Sequence, residues 1–323
     1  MKLRLLLVTG VIAFMTVGVL RREAVPPPFE EAAGAPGARM AGQIADPEID
    51  SVRLLGHLSV LAHDSMQGRG YGTEGASRAR AYLIGALAES GVAPFPETYA
   101  SPFTPPDGRE AVNLVGRVAG TDETLPVIVL SAHYDHEGVV DGEIYNGADD
   151  NASGVATVLE IARVLGQAPL RHPVIVTLLD AEESGLLGAR AFIAEPPLPL
   201  EEIALNVNLD MVSRANGVLW AAGAHHRPAL RAPLEAAASG APLDLRLGHD
   251  RPGAPEGADW TSQSDHAAFH ERGIPFVYFG VDDHPDYHRP TDDVERIDPA
   301  DFLSSARTIL IALRALDAAL PLP

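Results

Sequence analysis

Histidines and carboxylates recur in short clusters along this chain: His133-Tyr134-Asp135, Asp149-Asp150, Asp180-Ala181-Glu182-Glu183, Asn208-Leu209-Asp210 and Tyr287-His288. Carboxylates brought together in such numbers cannot all remain ionised without a compensating cation. There is no cysteine, so disulfides, thiolate metal sites and thiol catalysis are excluded. Imidazole and hard oxygen donors without thiolate suit zinc, manganese or cobalt. One carboxylate shared by two ions ~3.5–4 Å apart is the usual logic of dinuclear hydrolases. The paired aspartates lie in Gly147-Ala148-Asp149-Asp150-Asn151-Ala152-Ser153-Gly154, which leads into a helical pattern. Asn151 or Asp150 suits the N-cap of that helix. Capping does not need two adjacent aspartates, so a spare carboxylate is expected at the mouth of the site.

Four short apolar, β-branched runs must carry these clusters: Val127–Ser131, Val174–Leu179, Ile203–Leu209 and Pro275–Phe279. They read as strands buried on both faces. Helical patterns separate them at Ala152–Leu165, Leu186–Ala194, near Ala229–Ser239 and near Asp265–Arg272, and a last helix spans about Pro299–Leu316. This alternation predicts an α/β fold, a mixed, mostly parallel sheet flanked by helices on both faces. Each predicted strand runs into a polar cluster at its C-terminal end, where open α/β sheets bind ligands. Upstream lie a helix carrying Leu54, Leu55, Leu58, Val60 and Leu61, a loop from Gln67 to Gly75, and a second helix near Ala76–Ser90. Gly70-Tyr71-Gly72-Thr73-Glu74-Gly75 in that loop spells a dinucleotide fingerprint, but it follows a helix where the fingerprint needs a strand.

The net charge of −20 argues against a nucleic-acid partner, which needs clustered Lys and Arg. At the N-terminus, Lys2 and Arg4 precede an apolar run from Leu5 to Leu20 that ends at Arg21 and Arg22. Residues 1–25 read as a signal peptide or a membrane anchor, and both readings stay open: the run is shorter than the ~20 residues of a full span. Either one predicts export, to the periplasm or outside the cell, and an anchor would tether the protein to the membrane. Residues 26–47, rich in Pro, Ala and Gly, read as a linker. Residues 48–323 read as one catalytic domain.

The segments HYDH, GADDNASG, DAEESGLLGAR, NLDM, SDHAAFHERGIP and YHRPTDD stand in the order and spacing of the co-catalytic zinc aminopeptidases. The chain resembles that family from about Leu54 to Leu316. The wider superfamily includes glutamate carboxypeptidase and glutaminyl cyclase. The resemblance implies a zinc-exopeptidase fold, two Zn2+ ions, and peptide substrates with a free N-terminus. It also implies roles for particular residues. His133 and Asp210 would hold one zinc, Glu183 and His288 the other, and Asp149 would bridge them, followed by a cis peptide bond at Asp149–Asp150. Glu182 would be the general base and Asp135 would orient His133. Tyr287 would assist the tetrahedral intermediate. Relatives often carry serine where this chain has His136.

Two other readings compete with the peptidase. One is a glutaminyl cyclase-like acyltransferase, which usually uses one zinc, and the other is a non-enzymatic binding module of the same fold. The complete set of five ligands and a base favours the peptidase. His266 and His270 have the i, i+4 spacing of zincins but Ala267 stands where those enzymes need Glu. The Ser264-Asp265-His266 segment lines the substrate cleft by resemblance; equally, Ser264 reads as a helix N-cap. His63, His225, His226 and His249 read as surface or structural; His284 lies close to the site and is open to a functional or a structural reading, the structural one favoured. No Gly-x-Ser-x-Gly elbow occurs, which argues against a serine hydrolase.

Overall fold

The computed structural model describes residues 48–255 and 257–322; the predicted leader and linker, 1–25 and 26–47, lie outside the described residues. In chain order the strands are β1 (Ala93–Pro94), β2 (Ala100–Phe103), β3 (Ala111–Val118), β4 (Val127–His133), β5 (Gly138–Val140), β6 (Glu143–Tyr145), β7 (Val174–Leu179), β8 (Ile203–Leu209), β9 (Val218–Ala222), β10 (Asp244–Leu247) and β11 (Phe276–Gly280). The α-helices are α1 (Ser51–Leu61), α2 (Glu74–Glu89), α3 (Gly154–Gln167), α4 (Leu187–Ala194), α5 (Arg231–Ala238), α6 (His266–His270) and α7 (Pro299–Ala319).

The four apolar runs become the centre of a nine-stranded sheet of order β1-β3-β7-β4-β8-β11-β9-β10, with β2 also paired to β3. The central pairs β7–β4, β4–β8 and β8–β11 are parallel. On either side, β3 pairs antiparallel to β7 and β9 antiparallel to β11, so the sheet is mixed. This is the α/β class expected, with strands the sequence pattern did not reveal. In β3 the apolar run is interrupted by Asn113, Gly116 and Arg117, and β10 alternates Asp244, Leu245, Arg246 and Leu247 at the sheet's edge.

Because side chains alternate across a strand, β4 feeds two cores. Ile128, Leu130 and Ala132 pack with Leu54 and Leu58 of α1, Leu83 of α2, Val155 and Leu159 of α3 and Ile309 of α7. Val127 and Val129 pack with Phe192 of α4 and Phe269 of α6 on the other face. Parallel strands so covered present their C-terminal ends along one rim. His133 is the last residue of β4, Asp210 directly follows β8, and Glu182 and Glu183 lie just beyond β7. Two of the long helices begin at local caps: Asp50 accepts from the Val52 and Arg53 N–H groups ahead of α1, and Asp298 from those of Ala300 and Asp301 ahead of α7.

Leu130 is fully buried at the middle of the central strand. Leu130→Ala is expected to lower the unfolding free energy by about 2–5 kcal/mol with an unchanged denaturant slope in urea titration. A loss below about 1 kcal/mol would contradict a packed central layer.

Candidate metal centre

Asp150 occupies the middle of the rim. Its Oδ1 lies 3.4 Å from His133 Nε2 and its Oδ2 lies 3.1 Å from His288 Nε2. His133 Nε2 is also 3.3 Å from Asp210 Oδ1, and His288 Nε2 is 3.2 Å from Glu183 Oε2. Donors placed tetrahedrally around one zinc at bonds of ~2.0–2.1 Å stand about 3.3 Å from each other. The spacing therefore fits two neighbouring coordination shells that have Asp150 in common. Asp210 Oδ1 is buried and lacks a hydrogen-bond partner, an orphaned acceptor that a cation would satisfy. Among the described residues, the side-chain sets close enough to share an ion are His133–Glu182–Asp210, His136–Asp150–Glu183 and Glu137–Glu183–His288.

Asp149, the expected bridge, points elsewhere. Its Oδ1 accepts from the Ser213 N–H at 2.7 Å and the Ser213 hydroxyl at 2.6 Å, and its Oδ2 faces His284 Nε2 at 3.2 Å. Among the described residues the one cis peptide bond not preceding a proline is Asp150–Asn151, one residue beyond the expected Asp149–Asp150. The turn that decides this begins at Gly147, which has a left-handed φ of 54°. A Cβ there would collide with the Asp150 carbonyl and the His136 ring. The N–H groups of Asp149 and Asp150 then both donate to the carboxylate of Asp292. This holds the first side chain under Ser213 and turns the second toward the two histidines. The residue at the N-cap of α3 is Ser153, neither Asn151 nor Asp150, and it makes no side-chain cap bond; Asn151 Oδ1 instead accepts from the Gly154 N–H at 2.9 Å.

Asp135 lies beside His133, but its carboxylate is 3.7 Å from His133 Nδ1, whereas its main-chain carbonyl is at 3.2 Å. The carboxylate accepts from the N–H groups of Glu182 at 3.0 Å and Glu183 at 3.4 Å. It thus fixes the turn carrying the two glutamates as well as flanking the imidazole. These glutamates have opposite electrostatic character. Burial pushes the Glu182 carboxyl well above its usual range; His133 opposes the rise, while Asp265, Asp210 and Glu183 add to it. For Glu183, hydrogen bonds from His136 and His288 overcome burial and hold the carboxyl below its usual range. His288 is driven up to about 11, since Asp150 and Glu183 outweigh its desolvation. Tyr287 stacks on the His288 ring at 4.0 Å between centroids, and burial together with Asp150 raises its phenol.

Arg69, which no sequence pattern marks as functional, is fully buried beneath the site. Its guanidinium donates to the carbonyls of Tyr134 and Leu61 at 2.8 Å, to Gly147 at 2.9 Å, and to Asn146. It ties the segment after His133 to the segment before Asp149. Burial lowers Arg69 to about 10, with Asp150, Asp135, Asp292 and Glu183 resisting the fall. No local spacing marks such a residue, because its partners are backbone carbonyls from distant loops.

Several other histidines fall into structural places. His266 is buried with Nε2 2.9 Å from the Trp260 carbonyl, and burial lowers it to about 4. His270 packs against His226, and His249 stacks on Trp260. His63 caps its own turn by accepting from the Ser65 N–H. Ser264 is not the cap of α6; its hydroxyl instead pairs with Asn208 Nδ2 at 2.9 Å. Neighbouring Asp265 has both carboxylate oxygens buried without partners, and burial raises it to about 8.

The family model described as peptidase family M28 matches residues 113–313. Aminopeptidase YwaD of Bacillus subtilis is 31% identical over 182 residues, covering 53% of this chain and 37% of that protein. A vacuolar membrane protease of Candida albicans is 40% identical over 87 residues, covering 27% of this chain and 10% of that protein. The chain therefore spans well under half the length of these curated relatives. The fold is similar to that of BSAP, a zinc aminopeptidase from Bacillus subtilis, with TM-score 0.65 and 18% identity over 83% of this chain and 95% of that one. It is also similar to that of Porphyromonas gingivalis glutaminyl cyclase, with TM-score 0.69 and 21% identity over 83% of this chain and 99% of that one.

Removing the Arg69 guanidinium strands several buried carbonyls beneath a negative site. Arg69→Met is expected to cost roughly 3–5 kcal/mol of stability in guanidinium titration. A loss under about 1 kcal/mol would mean the two segments hold without the clamp.

Proposed function

The chain belongs to peptidase family M28, and on that premise we propose that it is a metallo-aminopeptidase releasing the N-terminal residue of peptides with the help of two Zn2+ ions. The observation that carries this reading is the division of Asp150, whose two oxygens face two different histidines. Each of those histidines faces a further carboxylate of its own, Asp210 for His133 and Glu183 for His288. In this reading His133, Asp150 and Asp210 hold one ion, and Asp150, Glu183 and His288 hold the other, with Asp150 in the bridging place first expected of Asp149. When bound, the ions would supply an activated water and polarise the scissile carbonyl. Similarity to aminopeptidase YwaD supports the exopeptidase assignment, and the apolar run Leu5–Leu20 supports export with an optional membrane tether.

The protein's own groups then have distinct tasks. Glu182, disposed by its buried setting to take up a proton, accepts one from water on its carboxylate and returns it to the leaving amine. Asp135 keeps that carboxylate in place through the Glu182 N–H. Tyr287, whose phenol burial keeps protonated, offers a hydrogen bond to the oxygen that gains charge in the tetrahedral state.

Glu182→Gln is expected to keep its zinc content by metal analysis and to lose about 10²–10⁴-fold in kcat; near-normal turnover would move the base elsewhere. Asp150→Asn should lose both metal and activity, while Asp149→Asn should retain two ions, because an amide oxygen can still accept from Ser213. The reverse pattern would restore Asp149 as the bridge. Leu-peptide substrates with an acetylated N-terminus should be cleaved at least ~100-fold more slowly than free ones, about 2.7 kcal/mol. Equal rates would point to an endopeptidase or carboxypeptidase, and pyroglutamate release without peptide cleavage would select the cyclase.

A further inference from the structure

One imidazole in the site has no task in this scheme. His136 follows β4 and is buried to 2% exposure. Its Nδ1 lies 2.6 Å from Glu183 Oε1 and 3.7 Å from Asp150 Oδ2. Its Nε2 is buried with no hydrogen-bond partner. The other oxygen of Glu183, Oε2, faces His288 Nε2 at 3.2 Å. Glu183 thus divides its two oxygens between two histidines, and the two contacts differ in kind. The 3.2 Å separation suits two donors around a common ion. The 2.6 Å separation is that of a charge-assisted hydrogen bond in which Nδ1–H donates to the carboxylate.

The ring is also wedged in place. It meets the His288 ring edge-on, 5.7 Å between centroids at 65°. Its Cδ2 edge lies against Gly147, where a Cβ would collide with it. A glycine that leaves room for this imidazole, and a short contact to one chosen oxygen, are independent signs that the ring's position is specified.

We propose that His136 is a positioning residue that restricts Glu183 to one-oxygen ligation of the second ion: Nδ1–H holds Oε1 and leaves Oε2 alone to face the metal. The inference rests on the dinuclear reading above. It makes the second site depend on a hydrogen bond outside the ligand set, and outer partners of this type govern metal affinity by about 10–100-fold. Without the hydrogen bond, the carboxylate can rotate and present both oxygens to the ion.

The test is metal binding by the apo-protein, followed by calorimetry and by visible absorption with Co(II), in the wild type and in His136→Ala, His136→Asn and His136→Gln. An asparagine amide can place an N–H where Nδ1–H stands, whereas glutamine reaches past that position; circular dichroism verifies folding. The wild type should bind two ions. The Ala and Gln variants should bind the first ion normally and the second about 10–100-fold more weakly, with a weaker Co(II) band as Glu183 Oε1 joins the shell. Asn should restore affinity for the second ion to near the wild-type value. Unchanged affinity in Ala and Gln overturns the proposal. So does an Asn variant as weak as Ala, which would make Nδ1 a ligand itself. Failure of the wild type to bind two ions would instead remove the dinuclear reading, a result separable from both.

Discussion

Buried negative charge is the constraint to which the rest of this site answers. Asp135, Asp149, Asp150, Asp180, Glu182, Asp210, Asp265 and Asp292 are all buried along or beneath one rim of the sheet. Carboxylates removed from water need hydrogen bonds, cations or protons. Some receive main-chain donors: Asp135 from Glu182 and Glu183, Asp180 from Val112 and Ala181, Asp292 from Asp149 and Asp150. Among the described residues Arg69 is the one buried guanidinium. Asp265 has no partner and burial raises it toward its neutral form; what remains uncompensated is concentrated at Asp150, Glu182 and Asp210, where imidazoles and the proposed ions complete the balance. The loops are therefore shaped by charge as much as by packing.

The same logic explains how adjacent glutamates can do different work. Glu183 is gripped by two histidines and stays ionised, while Glu182 has one imidazole nearby and several carboxylates opposing its ionisation. A single turn, pinned by Asp135, sets both environments. Pairs of titratable groups pushed apart in this way let one site keep one carboxylate charged and leave its neighbour able to take up a proton.

The parallel centre of the fold was legible because β4, β7, β8 and β11 are continuous apolar runs, a pattern imposed by burial on both faces. The flanking strands were not, because β3 carries polar and glycine interruptions and β10 is an exposed edge. The residues placed at strand ends could be read from the same runs. The choice between Asp149 and Asp150 could not: both precede the same helix, and what separates them is a turn at Gly147 and donors on Ser213 and Asp292, remote in sequence. Arg69 escaped for a similar reason, since carbonyl acceptors leave no trace in side-chain patterning. Local sequence signals report elements; contacts between loops emerge only when the elements have assembled.

The guanidinium clamp has a consequence for the small β5–β6 hairpin. Arg69 binds the Tyr134 carbonyl where the chain leaves β4 and the Asn146 and Gly147 carbonyls where it returns. Both feet of the excursion are thereby fixed independently of its tip. The tip turns through Asp141 and Gly142, both at positive φ, beside exposed Val139 and Val140, a two-residue reversal of the kind favoured in hairpins. The distance from His133 to Asp150 is thus set at the base of a loop whose far end is mechanically disengaged from it. The tip is a natural point for chain-length variation and for grafting a short epitope or affinity sequence, with the catalytic rim left in register.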